Sequence, residues 1–243
     1  MLRFGINIIL FGIFVSISFA NNDLNDIRCT LRQDFSESAK SSVSELCLQA
    51  KLEKDASNNK NYIFTYSNGT GPGFSYGDGG LIAAASVRNW PALINQGVSM
   101  VVLYLKPCGL NLPHIHPRAT TISYVAKGII RTGSWSENTG QFHAITLKAG
   151  QGTTFPAGAL HFEQNIGCDD AIVVAAFNSE DPGTAQLTEG IKVLPLDILT
   201  TSFGSESQYQ IDQLRRNFPK TPIKGIASCY KACGLDKNGN KIK

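Results

Sequence analysis

Three of the four histidines in this chain fall in two short segments whose spacing could do chemistry. The first segment, 109–120, reads GLNLPHIHPRAT, with His114 and His116 two residues apart. On an extended strand that spacing sends both imidazoles out of the same face. Two such rings can offer nitrogen ligands to one divalent cation. The second segment, 150–165, reads GQGTTFPAGALHFEQN, where Pro156 and Gly158 form a turn that launches a strand carrying His161. An isolated His-x-His pair is more often on the surface or satisfied in a core. Joined to a third histidine behind a Pro-x-Gly turn in a β-rich chain, it predicts a metal site made of His114, His116 and His161. Glu163 lies on the same strand face as His161, about 6.6 Å along, and faces inward if His161 does. His143 alternates with Phe142, Ala144 and Thr146 and reads as structural or solvent-facing.

Positioning these side chains is the task of short β-rich runs separated by turn signals: 81–87, 98–105, 122–126, 129–131, 142–147, 153–155, 160–164 and 171–177. The separators carry Pro, Gly and Asn, as at 106–109, 127–128, 138–140, 149–150, 156–158 and 165–167. A spacing near ten residues predicts an antiparallel sandwich or barrel. The glycine-dominated stretch 69–80 reads as a surface loop, because no helix-forming run follows it to build a phosphate cradle. Beyond Pro182 two stretches have helical period, 196–203 and 208–218, with Ile211, Leu214, Arg215 and Phe218 sharing a face. Such a pair could dock on its own barrel or clasp a neighbour.

With 243 residues and 42% hydrophobic content the chain can bury one good-sized core. Its net charge of +3 is scattered rather than gathered into a patch, which speaks against nucleic-acid binding. Arg3, an apolar run from Ile8 to Phe19, and small residues at Ser18 and Ala20 have the layout of a secretory signal peptide cleaved near Ala20. The run is too short to span a bilayer and Asn7 interrupts it, so no membrane span is expected in the mature protein. Six cysteines in an oxidising compartment favour disulfides over thiol catalysis. Cys29 with Cys47 is the first pairing expected, while Cys108, Cys168, Cys229 and Cys233 are left open. Asn68-Gly69-Thr70 is a glycosylation acceptor triplet.

The runs PHIHPRAT (113–120) and GQGTTFPAGALHFEQNIG (150–167) resemble the two sequence motifs of germins and germin-like proteins of the cupin superfamily. The stretches GVSMVVLYLKPCGLNLP (97–113) and AAFNSEDPGTAQL (175–187) are similar to them as well, and the resemblance covers roughly residues 81–218. Spherulins, the germin-like proteins of slime-mould cysts, are the nearer relatives suggested by the cysteine-containing tail and the altered site. The resemblance implies an all-β cupin jelly-roll barrel with a short C-terminal helical pair, Mn(II) held by three His and one Glu, secretion, and homo-oligomers locked by C-terminal helices. It divides the chain into a signal peptide (1–20), an N-terminal arm (21–68), the barrel (69–187), a helical extension (188–224) and a tail (225–243).

The family pattern places the glutamate directly after HPRAT, where this chain has Thr121. A hydroxyl is a poorer ligand for a hard cation than a carboxylate. Water in the vacancy, with Zn(II) as an alternative metal, Glu163 as the compensating ligand, and a degenerate site all remain open. Asn111 matches a substrate-holding asparagine of the oxalate oxidases and, with Asn165, is assigned to the pocket; the companion asparagine falls on Ile94. The expected function is a secreted metal-binding cupin of an extracellular matrix, cyst wall or spore coat with weak or no catalysis. The rival is a manganese enzyme of the superoxide dismutase or oxalate oxidase type. A third reading is a sugar- or small-ligand-binding cupin whose barrel is only a pocket, with Trp135, Phe142 and Phe162 at its mouth.

Overall fold

The segment Ala171–Phe177 shows how the chain becomes a closed sheet. Ala171, Val173, Ala175 and Phe177 are buried while the residues between them are only half-buried. That is the period of two that a strand with one inward face must have. In the computed structural model, which describes residues 62–67, 69–236 and 239–242, the same alternation is clear again in the strand Thr121–Lys127, and the chain forms twelve strands. They are β1 (Phe74–Gly77), β2 (Gly80–Ala85), β3 (Ser99–Leu105), β4 (Gly109–Ile115), β5 (Thr121–Lys127), β6 (Ile129–Ser136), β7 (Gln141–Lys148), β8 (Gly152–Phe155), β9 (His161–Asn165), β10 (Ala171–Phe177), β11 (Ala185–Gln186) and β12 (Ile223–Gly225).

All pairings are antiparallel. One sheet runs β1-β2-β3-β10-β5-β8 and the other β11-β4-β9-β6-β7, with β12 also on β4. Neighbours such as β3 and β10, or β4 and β9, are far apart in sequence, as the jelly-roll topology requires. Between the sheets Leu103, Leu105, Val125, Ile130, Leu147, Ala171, Val173 and Ile223 form the apolar core. A second, smaller apolar cluster, Ala119, Ala175 and Phe177, packs beside the buried polar residues.

Three features depart from the pattern read in the sequence. Within the glycine-rich stretch 69–80, β1 pairs with β2 from Phe74↔Ala83 to Gly77↔Gly80. Glycine is needed there by backbone crowding: a Cβ on Gly80 would lie 2.0 Å from the Tyr104 carbonyl oxygen, and one on Gly79 would lie 2.3 Å from that of Lys224. The strand anticipated at 129–131 continues to Ser136 as β6. The 106–109 separator runs directly into β4, a strand interrupted by a register shift between Asn111 and His114.

After the barrel come α1 (Leu187–Val193), α2 (Leu196–Ser202) and α3 (Gln208–Arg216). The last two match the helical stretches read from periodicity. Ser207 caps α3 by accepting a hydrogen bond from the Gln210 amide at 3.3 Å. On the shared face Ile211 is buried but Leu214 stands 47% exposed, so that face is only partly covered in the single chain.

The tail is fastened to the barrel. It adds β12 beside β4 and then α4 (Ala227–Ala232). Disulfides Cys108–Cys229 and Cys168–Cys233 tie α4 and its C-cap to the loops before β4 and after β9. Asp78 accepts from Lys224 Nζ at 2.6 Å and from the Gly225 amide at 3.2 Å. Tyr230, Leu235 and Cys108 bury one another beneath the bridges. The Cys29–Cys47 pairing, the signal peptide and the Asn68 acceptor lie outside the described residues. Among the described residues no helix is long and apolar enough to cross a membrane.

The two crosslinks close spans of 121 and 65 residues, loops whose closure entropy in the unfolded chain is large. Replacing Cys168 and Cys233 together by serine is expected to cost about 2–5 kcal/mol. The check is urea denaturation, with an unchanged far-UV spectrum before the transition.

Candidate metal centre

His114 and His161 face each other across paired strands: His114 on β4 is the register partner of His161 on β9. His116 follows one step past the end of β4. The ring centroids lie 4.3 Å (His114–His161), 4.9 Å (His114–His116) and 5.3 Å (His116–His161) apart, and all three residues are buried. One ligand atom from each falls within 4.8 Å of the others.

Each Nδ1 lies against a backbone carbonyl: His114 to Leu112 O at 2.8 Å, His116 to Gly183 O at 2.6 Å, His161 to Ala159 O at 2.8 Å. A carbonyl can only accept, so each Nδ1 carries the proton and each Nε2 is left with its lone pair. This is the tautomer that second-shell bonds impose on metal-ligating histidines. Nε2 of His161 is buried and has no hydrogen-bond partner, an orphaned acceptor that a cation would satisfy. Phe155 stacks on His161 at 4.2 Å and 16°, and Phe177 meets His116 edge-on at 4.6 Å, so the rings have little room to turn.

Local sequence makes these contacts available. Pro113 has no N–H to give the ladder, and the register shift there lets Asn111 and His114 both be buried although they are three residues apart. Gly158, at φ 78°, donates its amide to the His116 carbonyl at 2.9 Å and so ties the two histidine segments together. Arg118 pairs with Asp181 at 2.8 Å and donates from its backbone to Pro182 O, holding the loop that presents Gly183 to His116.

Glu163, partnered with Asn111 across β9 and β4, is 3% exposed and accepts from Asn111 Nδ2 at 2.9 Å. Burial pushes its carboxyl up, against the opposing pull of His161 and the Asn111 bond. Glu163, Asn111, His114, His116 and Thr121 line one cavity of about 370 Å³, which reaches the exposed residues Thr184, Glu189 and Lys220. The Glu163 carboxylate does not lie within 4.8 Å of all three histidine nitrogens. Thr121 is 1% exposed and its hydroxyl has no partner.

The other residues singled out from sequence have different surroundings. Asn165 shares the inward face of β9, but its amide donates to Lys106 O and Asp169 O, at 2.9 and 2.7 Å, and its oxygen accepts from Gly167 N. It braces the loops bearing Cys108 and Cys168 and is not part of the cavity wall. His143 is exposed on β7. Trp135 and Phe142 do not line the cavity; they lie on the outer face of the sheet, 44% and 48% exposed. Ser123, whose buried hydroxyl also lacks a partner, was missed from sequence; its two-residue spacing from Thr121 on β5 was the available signal.

Three neutral imidazoles with converging lone pairs, beside a buried carboxylate whose side-chain partner is a neutral amide, suit a divalent cation. Comparison with known proteins agrees with the architecture. The profile of the family described as Cupin matches residues 67–209. Spherulin-1A of Physarum polycephalum is 40% identical over 185 residues, covering 76% of this chain and 73% of that protein. The chain belongs to the cupin family. Within it, the similarity extends to Spherulin-1B of the same organism at 37% identity over the same coverage. The putative germin-like protein 3-2 of Oryza sativa subsp. japonica is 36% identical, covering 58% of this chain and 64% of its own. Among solved structures, an oxalate oxidase superposes with a TM-score of 0.59 at 28% identity, over 66% of this chain and 82% of that one. The germin-like and spherulin resemblance of the sequence is thereby shown.

Two predictions follow from the site itself. Thr121→Val removes a buried, unpaired hydroxyl at constant shape, so the metal-free protein should be unchanged or stabilised by up to about 1 kcal/mol in chemical denaturation. Burial first, then a neighbouring histidine, holds His114 and His161 down at about 4, and burial lowers His116. Unfolded imidazoles, at 6.5, bind protons that these folded ones refuse. The metal-free protein should therefore lose stability as pH falls from 6.5 to 4, by at most about 3 kcal/mol each for His114 and His161, with His116 acting in the same direction. Glu163 acts with the opposite sign, its stabilising protonation fading as pH rises through its raised pKa. Urea titrations across this window should show a flatter slope in His161→Gln than in the native sequence.

Proposed function

We propose that this chain is a secreted, homo-oligomeric germin-like cupin that holds a divalent cation, Mn(II) in the first place and Zn(II) as the alternative. Its role is in an extracellular matrix, cyst wall or spore coat, with weak or no catalysis. The observation that carries the reading is the set of three buried imidazoles, each giving its Nδ1 proton to a backbone carbonyl and turning a free Nε2 toward the others. His114, His116 and His161 would hold the ion. Glu163, lining the same cavity, supplies the carboxylate absent at Thr121, and Asn111 orients it. When bound, the ion would act as a Lewis acid or, as manganese, as a one-electron centre.

Two crosslinks on the tail support an oxidising compartment, hence secretion. Exposed apolar side chains on and after the helices, Val193 at 81% and Ile198 at 50% among them, support a second copy as the partner of this extension. The spherulin resemblance favours a wall or coat setting over metabolism.

A second reading, a manganese enzyme of the oxalate oxidase or superoxide dismutase type, is favoured by the cavity beside the histidines and by the superposition on oxalate oxidase. Here one N–H of Asn111 is spent on Glu163, which leaves only its second N–H for a substrate carboxylate.

Elemental analysis of the purified chain is expected to find about one divalent ion per chain, lost in His114→Ala. Oxalate and superoxide assays are expected to give no turnover above that variant. Turnover that disappears with His114 would establish the enzyme reading instead. Glu163→Gln should weaken metal binding by at least about tenfold, whereas Asn165→Asp should act on folding rather than on the ion; competition with a chromogenic chelator measures the first and thermal melting the second.

A further inference from the structure

The outer face of the sheet that carries His114 and His161 holds an aromatic row for which the metal site has no use. Trp135 on β6 and Phe142 on β7 are cross-strand partners. They lie opposite Ile130 and Thr132, the residues of β6 that are 1% exposed. The Phe142 ring runs parallel to Phe162 of β9, with centroids 5.9 Å apart and 6° between the planes. It gets there by lying across Gly133, where a Cβ would sit 2.7 Å from the Phe142 Cζ. A glycine that weakens the middle of a strand is therefore what allows an aromatic ring to lie down on this surface.

Beside Trp135 a groove of about 500 Å³ separates the β6–β7 hairpin from the turn 156–159 that leads to His161. That volume falls in the range of small-ligand sites, about 300–1,000 Å³. Ser136, Glu137 and Asn138 on its rim have no hydrogen-bond partner for their side chains among the described residues, and Glu137 and Asn138 are exposed. Exposed ring faces bordered by an unspent carboxylate, amide and hydroxyl match one ligand chemistry well. A pyranose in a β-linked chain is flat, with C–H groups on its faces and hydroxyls around its edge. The C–H groups, slightly positive, stack on the negative face of an aromatic ring. The hydroxyls both donate and accept, as Glu137, Asn138 and Ser136 require. A protein partner fits less well, because Arg131, exposed and two residues along β6 from Gly133, sets a charge beside the row, and charged residues are depleted at the centres of protein interfaces.

We propose that Trp135 and Phe142, with the rim at Ser136, Glu137 and Asn138, form a binding face for a polysaccharide of β-linked pyranoses. The face is on the outside of the barrel, so it works independently of any ion at the histidines. It would anchor the protein to a wall by direct contact with its polymer.

The test is depletion of the full metal-loaded chain from solution by microcrystalline cellulose and by chitin, with granular starch as the α-linked control. At least one β-linked polymer should remove the protein, equally well after EDTA treatment, and starch should not. Trp135→Ala and Phe142→Ala should each weaken depletion at least tenfold, with far-UV spectrum and melting midpoint unchanged. Trp135→Tyr, which keeps a ring, should retain most of the binding and so separates loss of stacking from misfolding. Soluble cellohexaose or chitohexaose should shift the tryptophan emission of the native sequence to the blue, and not that of Trp135→Ala. Absence of depletion by either β-linked polymer, depletion of Trp135→Ala equal to that of the native sequence, or preference for starch would overturn the proposal. So would a smaller sedimentation coefficient for Trp135→Ala, which would make the face a contact between copies of the chain.

Discussion

The arrangement of the site depends on three hydrogen bonds, those that take the Nδ1 proton of His114, His116 and His161 to the carbonyls of Leu112, Gly183 and Ala159. A regular antiparallel ladder would spend such carbonyls on neighbouring strands. All three are free because the backbone is irregular where they lie: Leu112 inside the register shift of β4, Ala159 in the turn before β9, and Gly183 in the loop after β10. The interruptions in the barrel are thus the source of the acceptors that fix each ring's tautomer and direction. Pro113, the Pro156–Gly158 turn and the Arg118–Asp181 pair become parts of the site although none touches the cavity floor.

The interior of the barrel follows the same logic. In its main apolar cluster Leu105, Val125, Ile130 and Val173 close-pack. Outside that cluster are buried groups that an apolar core would not tolerate: the Glu163 carboxyl, the Thr121 and Ser123 hydroxyls and Nε2 of His161. Groups of this kind cost stability unless something binds them, and the rest of the chain offsets that cost. The tail supplies β12 to the open side of β4 and is locked by two disulfides, close to the loops that Asn165 braces.

Much of this could be read in the residues. The turn spacing gave the strands, and two histidine segments of the right shape gave the three rings that converge. What stayed hidden depends on events that leave no periodic trace. A register shift changes which residues face inward, so Asn111 and His114 share an interior that simple alternation denies them. The hairpin of β1 and β2 was masked by glycines that serve backbone contact rather than flexibility. Trp135, read from sequence as a residue of the barrel mouth, lies on the outer face of the sheet instead. Since β6 runs on to Ser136, its alternation continues and places Trp135 on the outside. The tail defeated periodicity altogether, because its position is set by crosslinks and by Asp78, not by an amphipathic face.

Under the function proposed above, Thr121 and Glu163 would be a site that keeps its charge while moving it. In the germin pattern the carboxylate would stand at the start of β5; here that position carries a hydroxyl, and a carboxylate stands on β9, two residues beyond His161. Both positions open onto the same cavity. Placement nevertheless changes the chemistry. From β9, Glu163 is held by Asn111 across the strand pair that also joins His114 to His161, so carboxylate and imidazoles are braced by one unit of sheet. The vacated side, at Thr121 and Ser123, has two hydroxyls without partners. In the reading proposed above, a cation held there would be bound from the β4–β9 side and open toward β5, facing groups that can hydrogen-bond a water or a small anion without competing for the metal.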